Sequence, residues 1–449
     1  MQSVNLCCGL NVNIVYINYL HMNLNFTIHL KRLLLAISSP MWCVLLFLSF
    51  GGQWVHATAN DFLQLLQRAS YSHPQVAMAQ SQREGADGER QAARWQRYPM
   101  PSFQSVTPQD RSRSEPVNRF SLEQPIFAGG RIDAGIDEAE AKYTASEGNL
   151  DQVAVDLGVR LSTVWYEWHR QRERKMVLMD SVQAHQRLRD QISRRVKEGV
   201  SAQADLTLAV ARLSQAEGDL QQAKSAERNL YAQLVQLAGA QIHYLSTFPV
   251  PSADQRVREA PSVDWREKAI ARAPGLAKLD AEADAAAAEI RVKRGQLSPV
   301  VSVRYDYDAS GFRKGSGVFL QVSAQPGAGL SGLSGVKASE AYYQAAKDAR
   351  RSAELELRQM LDTDFSDYDS ALGRIQSYEQ LQISSREVAA SYARQFVAGR
   401  KSWLDVLNAV RESVAADLSI IDAKTQRSQA WWRLRLRAFG LGEISKEPQ

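Results

Sequence analysis

The sequence predicts an internally duplicated α+β membrane protein, in which long antiparallel helices build an α-helical barrel and four strands per chain contribute to a transmembrane β-barrel. Three observations predict this class. The same landmarks recur about 200 residues apart. Each copy contains a proline-free helical stretch of about 67 residues, and each copy carries a strand-like insert.

The duplication is defined by four landmarks that return at a nearly constant offset. They mark the start of a helix, the end of a strand, a chain reversal and an acidic residue six positions after that reversal. The pairs are Pro74 and Pro274, Gln124-Pro125 and Gln325-Pro326, Gly199 and Gly399, and Asp205 and Asp405. A chain built twice from one unit usually presents that unit around a symmetry axis, so we expect the function to reside in an assembly.

The N-terminal 59 residues have the pattern of a secretory signal peptide. Lys31-Arg32 precedes the apolar run 33–50, and Ala57-Thr58-Ala59 supplies small residues at the cleavage positions. The alternative is a single anchoring helix, but Ser38-Ser39-Pro40 interrupts the run. Residues 1–30 are long for the basic leader region and are consistent with an upstream start codon. The mature chain is therefore predicted to begin near Asn60.

Composition argues against an enzyme and against a nucleic-acid partner. Without residues 1–59 the chain has 52 Lys and Arg against 49 Asp and Glu, a net charge too small to imply nucleic acid. The three cysteines all lie in the removed segment, and four scattered histidines lack metal-ligand spacing. The chain has no phosphate-binding loop. We therefore expect no cofactor and no catalytic residues.

Helical periodicity places the same series of helices in each copy. The first repeat spans 60–239 and the second 263–442, joined by a proline-rich linker at 240–262 and followed by a short tail at 443–449. The predicted helices are 74–97, 131–198 and 203–238 in the first repeat, and 274–296, 332–398 and 402–439 in the second. Each long helix is roughly 100 Å, which nearly matches the two shorter ones stacked end to end. We therefore expect each long helix to pack beside two stacked helices.

Strand-like alternation predicts a β-hairpin at about 299–326 and a weaker one at about 101–126. In the second insert, Val301, Val303, Tyr305 and Tyr307 alternate with polar residues. Strands of about ten residues can cross a bilayer, but four strands cannot close a barrel. Several chains must therefore share one barrel. The alternative is a pair of soluble hairpins that cap a helical bundle.

Two segments carry a resemblance to a known family. Residues 124–131 (QPIFAGGR) and 396–409 (FVAGRKSWLDVLNA), together with the duplication, make residues 60–442 resemble the TolC family of outer-membrane export channels. The resemblance implies a homotrimer in the outer-membrane lipid, with a twelve-stranded barrel and a periplasmic helical tunnel. It also implies passive conduction, with a periplasmic adaptor (membrane fusion protein) and an inner-membrane ABC or RND transporter as partners.

The resemblance directs attention to the two chain reversals as a periplasmic gate. Gly199 and Gly399 are predicted to form the tip turns, since a helix end that reverses favours glycine. Asp205 and Asp405 are either solvated acids near helix N-termini or, under threefold symmetry, rings of carboxylates that favour cations and help close the mouth. Gln124, Pro125, Gln325 and Pro326 mark the strand-to-helix junctions.

Three tip residues depart from the family pattern. Lys401 stands where related channels have an arginine, and Asn408 stands where they have a second aspartate. Phe396 occupies the position of a tyrosine that helps lock the closed tip in many members. These departures predict a weaker lower acidic ring and a lock with fewer hydrogen bonds, because lysine lacks the planar arginine fork. We expect a gate with altered cation block.

The amino-acid sequence of the tip segment resembles that of channels that serve type I secretion of large proteins such as adhesins. Multidrug or metal efflux is the competing interpretation, because an exit duct contacts its adaptor more specifically than its cargo. A periplasmic coiled-coil adaptor or scaffold is a third possibility, of a different class.

The signal-peptide interpretation gives a direct test. Protein extracted from outer membranes should begin near Asn60, and it should not react with a thiol reagent because Cys7, Cys8 and Cys43 have been removed. N-terminal sequencing and intact mass after maleimide treatment measure both. A mature chain that retains the segment 33–50 would favour the anchoring helix instead.

Overall fold

The structure, a computed structural model, describes residues 61–107, 116–238, 260–262, 264–309, 314–325 and 327–444. The predicted signal peptide at 1–59, most of the linker at 240–262, Pro326 and most of the tail lie outside the described residues, and those assignments stay predictions. Within the described residues, no helix is both long enough and apolar enough to cross a membrane.

Among the described residues, the first copy has four helices and two strands. Its elements are α1 (Asp61–Ser72), α2 (Pro74–Trp95), β1 (Met100–Val106), β2 (Val117–Phe127), α3 (Arg131–Lys197) and α4 (Gln203–Ala238). The sequence did not predict α1. Proline is the first residue of α2, and the His73 imidazole accepts a hydrogen bond from the backbone N–H of Gln75 at 3.2 Å.

The second copy repeats this order. Its elements are α5 (Asp264–Ala271), α6 (Pro274–Gln296), β3 (Val300–Asp308), β4 (Gly315–Ser323), a 3₁₀ turn (Ala328–Leu330), α7 (Ser331–Val397) and α8 (Trp403–Ile444). The short α5 was also not predicted. Gly440 breaks the regular helical backbone near the end of α8, with φ 64° and ψ −175°, close to where the sequence placed the end of this helix.

Each long helix packs beside two shorter ones. In the first copy α3 packs against α2 along its N-terminal part and against α4 along its C-terminal part. In the second copy α7 packs in the same way against α6 and α8. The copies join because α3 also packs against α6 and α8. The helices therefore form a wall segment in which α7 lies at one side and α2 and α4 lie at the other.

The four strands form one antiparallel sheet in the order β1-β2-β3-β4. The pairing of β2 with β3 joins the two copies, with Phe120 opposite Tyr307 and Leu122 opposite Tyr305. A β-bulge interrupts this register between Pro125 and Phe127, where the chain leaves the sheet for α3. In the sheet, as in the helical wall, the first copy therefore lies beside the second.

The sheet has one apolar face and one polar face. The pairing registers put the following side chains on the apolar face: Phe103, Phe120, Leu122, Val303, Tyr305, Tyr307, Val318, Leu320 and Val322. The opposite face carries polar contacts, including an ion pair between Arg119 and Asp308 at 2.7 Å. On the same face the Ser302 hydroxyl donates to Glu123 at 2.7 Å. This alternation suits a wall between lipid and water.

Glycine allows the two copies to approach closely where the sheet meets the helices. A β-carbon on Gly129 would lie 2.4 Å from Cβ of Ser298 and 2.9 Å from the carbonyl oxygen of Gly295. A β-carbon on Gly295 would in turn lie 2.9 Å from the backbone nitrogen of Arg131. The start of α3 and the end of α6 therefore touch through their backbones, which only glycine permits.

The largest apolar core lies where α1 and α5 insert at the middle of the wall. It contains Phe62, Trp165, Trp431 and Trp432, and both tryptophans of α8 are almost fully buried. The indole N–H of Trp432 donates to the hydroxyl of Tyr166 at 2.6 Å. Trp431 and Trp432 therefore pack in the interior of the wall.

Ion pairs hold α8 to the helices on both of its sides. Towards α3, Asp422 accepts from Arg170 at 3.0 Å and from Arg174 at 2.9 Å. Towards α7, the buried carboxylate of Asp364 is shared by Arg433 and Arg437. Since removing one partner of the buried Asp364 group leaves an uncompensated charge, this group fixes which faces of α7 and α8 meet.

His169 is buried between two tryptophan rings of α3. Its ring centroid lies 4.7 Å from that of Trp165 and 4.8 Å from that of Trp168. Neither ring nitrogen has a hydrogen-bond partner among the described residues. Burial, with a smaller contribution from the charge of Arg172, lowers the pKa of His169 to about 3. The folded chain therefore keeps this imidazole neutral.

This burial predicts an acid-sensitive core. Between about pH 6.5 and 3 the unfolded chain binds a proton at His169 that the folded chain does not, so stability falls as the pH falls through that window. The slope is at most about 1.4 kcal/mol per pH unit. His169→Phe keeps an aromatic ring that cannot titrate, and it should flatten the dependence of stability on pH. Thermal unfolding in detergent from pH 4 to 7 measures both proteins, and parallel profiles would contradict the assignment.

Candidate functional site

The two chain reversals lie side by side at one end of the wall. Their packing is shown by a shared apolar cluster with members from all four helices of the turns: Leu188, Ile192, Ala209, Phe396, Trp403, Val406 and Leu407. Since residues from both copies share this cluster, the turns at Gly199 and Gly399 form a single structure, here called the tip. Trp403 packs in the interior of the tip, whereas Leu404 is exposed.

Both turns are built in the same way at the end of a long helix. The N–H of Gly199 donates to the carbonyl of Val196 at 3.0 Å, and the N–H of Val200 donates to that of Arg195 at 2.8 Å. Gly399 and Arg400 make the equivalent bonds in the second copy. Gly199 and Gly399 have φ of 75° and 73°. This is the Schellman arrangement, whose left-handed residue favours glycine.

Asp405 is held at the start of α8 by a reciprocal pair of bonds with Ser402. Its carboxylate accepts from the Ser402 N–H at 3.2 Å and from the Ser402 hydroxyl at 2.9 Å. The Ser402 hydroxyl accepts in turn from the backbone N–H of Asp405 at 3.2 Å. The two bonds from Ser402 lower the pKa of Asp405 below its usual value. The residue is thus an ionised capping group.

The first copy lacks this cap. Ala202 occupies the position that corresponds to Ser402, and its carbonyl accepts from the backbone N–H of Asp205 at 3.0 Å. Among the described residues no hydrogen-bond partner is found for the Asp205 carboxylate. Asp205 and Asp405 therefore occupy equivalent positions with different surroundings. Whether their carboxylates converge in an assembled ring stays a prediction.

Two cation–π contacts join neighbouring elements at the tip. The guanidinium carbon of Arg195 lies 5.1 Å from the ring centroid of Phe396, which connects α3 to α7 and so one copy to the other. The ammonium nitrogen of Lys401 lies 4.3 Å from the ring of Tyr392. Such contacts are worth about 0.5–1 kcal/mol at exposed sites. They need no hydrogen bond from the aromatic residue, which Phe396 cannot provide.

Three of these tip residues were not singled out by the sequence. Ser402 could have been found, because a serine three residues before an acid at a helix start is a capping pattern. Arg195 lies far from Phe396 in sequence, so only the fold brings these two together, whereas Tyr392 and Lys401 lie nine residues apart across the end of α7. Asn408 is exposed in a groove between α4 and α8, with Arg411 and Glu412.

The predicted junction residues lie at the opposite end of the wall. The amide of Gln124 donates to the carbonyl of Arg97 at 3.1 Å and to that of Pro125 at 2.9 Å, which joins β2 to the end of α2. Gln325 follows β4 and is exposed, and Pro326 lies outside the described residues. No group of histidine, cysteine or acidic side chains suited to a metal ion occurs within the described ranges.

Both sides of the wall segment are open and apolar. The outer strands of the described sheet are β1 and β4. On the helices, exposed apolar side chains line α7 at one side and α1, α2 and α4 at the other. They include Tyr342, Leu355 and Ile383 on α7, and Tyr71, Met78, Trp95, Leu208 and Val210 opposite. Open strand edges and exposed apolar helix sides mark surfaces suited to contact with another chain.

Comparison with known proteins identifies relatives over nearly all of this fold. The family model of outer membrane efflux proteins matches residues 65–240 and 265–438, which are the two copies. The alkaline protease secretion protein AprF of Pseudomonas aeruginosa is 24% identical over 370 residues, covering 76% of this chain and 73% of that protein.

Solved structures show the same fold. The outer-membrane channel OprN superposes with a TM-score of 0.72 at 19% identity, covering 84% of this chain and 89% of its own. The outer membrane protein VceC of Vibrio cholerae gives 0.72 at 15% identity, with 84% and 96% covered. The predicted fold class and the resemblance drawn from residues 124–131 and 396–409 are confirmed.

The capping difference between the copies gives a test at the tip. Ser402→Ala removes the two bonds made by the Ser402 hydroxyl and keeps the backbone N–H bond to Asp405. It should destabilise the start of α8 by about 1 kcal/mol, so amide hydrogen exchange over 403–408 should accelerate. The matched change Ala202→Ser supplies the missing hydroxyl and should slow exchange over 203–208. Unchanged exchange in both variants would show that the cap does not stabilise these helices.

Proposed function

Because this chain belongs to the outer membrane efflux protein family, whose members are transport channels and not enzymes, we propose that it is the exit duct of a tripartite exporter. Three chains would close one pore through the outer membrane. A periplasmic adaptor and an inner-membrane ABC or RND transporter would supply cargo and energy. The conduction itself would be passive.

The observation that carries this proposal is the pair of open sides on the wall segment. In lipid an unpaired strand edge leaves backbone groups unsatisfied, so β1 of one chain must pair with β4 of the neighbouring chain. The apolar side chains on α7 and on α1, α2 and α4 would be covered by the same arrangement. One symmetric contact between chains would therefore pair the strand edges and cover the apolar sides of the helices together.

The tip is the proposed periplasmic gate. The contact of Arg195 with Phe396 would hold α3 and α7 together, and that of Lys401 with Tyr392 would hold the second turn. Ser402 and Asp405 would fix where α8 starts, while Asp205 and Asn408 would face the same mouth. In this arrangement aromatic and cationic side chains replace the hydrogen-bonded lock implied by the family pattern.

For the cargo we propose type I secretion of proteins, such as adhesins. The similarity to AprF, a protein named for alkaline protease secretion, supports this choice over most of both chains. Multidrug or metal efflux is the competing proposal, since OprN and other outer-membrane channels share the fold at comparable TM-scores. The periplasmic scaffold considered from the sequence would not require the amphipathic sheet.

Cysteine cross-linking tests the shared barrel directly. The chain has no cysteine after Cys43, so any disulfide within the described residues forms between the introduced cysteines. Ser102→Cys in β1, combined in turn with cysteine at Gln321 or Ser323 in β4, should link chains into dimers and trimers on unreduced gels. The control pair Ser121→Cys and Asp306→Cys lies in one chain at opposed positions of β2 and β3. It should give monomers only.

Deletion of the protein separates the cargo classes. Loss of a secreted protein with unchanged drug and metal susceptibility supports the secretion proposal, whereas the reverse supports efflux. Monomeric cross-linking products from both edge pairs, together with absence from the outer membrane, would contradict the channel itself.

A further inference from the structure

The tip concentrates the positive charge of the chain. Residues 194–205 and 394–405 contain six cationic side chains and three carboxylates, a net charge of +3. Residues 60–449 as a whole have 52 basic and 49 acidic side chains. The remaining residues are therefore balanced at 46 of each. The excess belongs to one end of the wall and not to the surface in general.

Most of this charge is exposed and unpaired. Arg194, Lys197, Arg394 and Arg400 are exposed, and none of them has an ion pair among the described residues. Arg195 and Lys401 contact aromatic rings, which do not neutralise them. By contrast, several arginines further along the same helices are paired, such as Arg386 with Asp417 at 2.8 Å.

The excess of +3 already subtracts the three carboxylates of the tip. One of them, Asp405, accepts from the backbone N–H and the hydroxyl of Ser402 at the start of α8. The helix dipoles add no net field, because each turn joins the C-terminus of one helix to the N-terminus of the next. The side-chain excess of +3 per chain is left over.

From these charges we infer that the periplasmic mouth selects anions. The inference rests on the proposed channel, in which three tips meet around one axis and carry nine excess positive charges at the narrow entrance. Rings of arginine and lysine favour anions, and charge lining a narrow cleft concentrates counter-ions at its opening. Small anions and acidic segments of a polypeptide are the cargo that this mouth admits. A ring of carboxylates favouring cations, as expected from the sequence, would have to overcome that excess.

Reversal potentials in planar bilayers test the inference. With wild-type trimers in a KCl gradient, the sign of the reversal potential should indicate a preference for chloride. The variant Lys197→Glu, Arg394→Glu, Arg400→Glu changes the tip from +3 to −3 per chain and leaves Arg195 and Lys401 in place. Its reversal potential should change sign. Higher salt should weaken both preferences through screening.

A matched variant places the same charge change elsewhere. Arg68→Glu, Lys224→Glu, Lys337→Glu reverses three exposed cations outside the tip and should keep the chloride preference. Potassium preference in the wild type would overturn the inference, and so would an equal shift in both triple variants. These outcomes leave the channel proposal standing. Absence of any step conductance from cross-linkable trimers would instead remove the channel proposal, and this inference with it.

Discussion

The need to satisfy backbone hydrogen bonds in lipid governs the rest of this structure. A four-stranded sheet with β1 and β4 at its edges cannot remain alone in a membrane. The same constraint acts on the helical wall, because each strand pair leads directly into a long helix. A contact that closes the sheet must therefore also close the helices, and the exposed apolar side chains on α7 and α2 agree with it.

The two copies are interlocked so that this closure has one geometry. Near the sheet, Gly129 and Gly295 let the start of α3 and the end of α6 touch through their backbones. In the middle, Asp422 and Asp364 tie α8 to α3 and to α7. At the tip, Arg195 lies over Phe396. Since each link joins the copies or their neighbouring helices, the wall is held together at the sheet, in the middle and at the tip.

Much of the fold followed from period and length, while the contacts between helices did not. The long helices and both hairpins were predicted because their periodicity extends over many residues. The short helices α1 and α5 were missed, since only packing against the tryptophan core makes twelve or eight residues helical. The partner of Phe396 was missed for a related reason, because a cation–π contact between separate helices leaves no spacing in the sequence.

The tip shows how duplication can divide one role between two copies. Gly199 and Gly399 retain the same turn, because the left-handed backbone leaves little choice of residue. Around that fixed geometry the neighbours have diverged: Ser402 caps α8, whereas Ala202 leaves Asp205 without such a partner. A capped turn holds its helix start in place, and an uncapped one can open at lower cost. If the mouth widens, the first copy should therefore move before the second, with Arg195 and Phe396 as the contact that couples them.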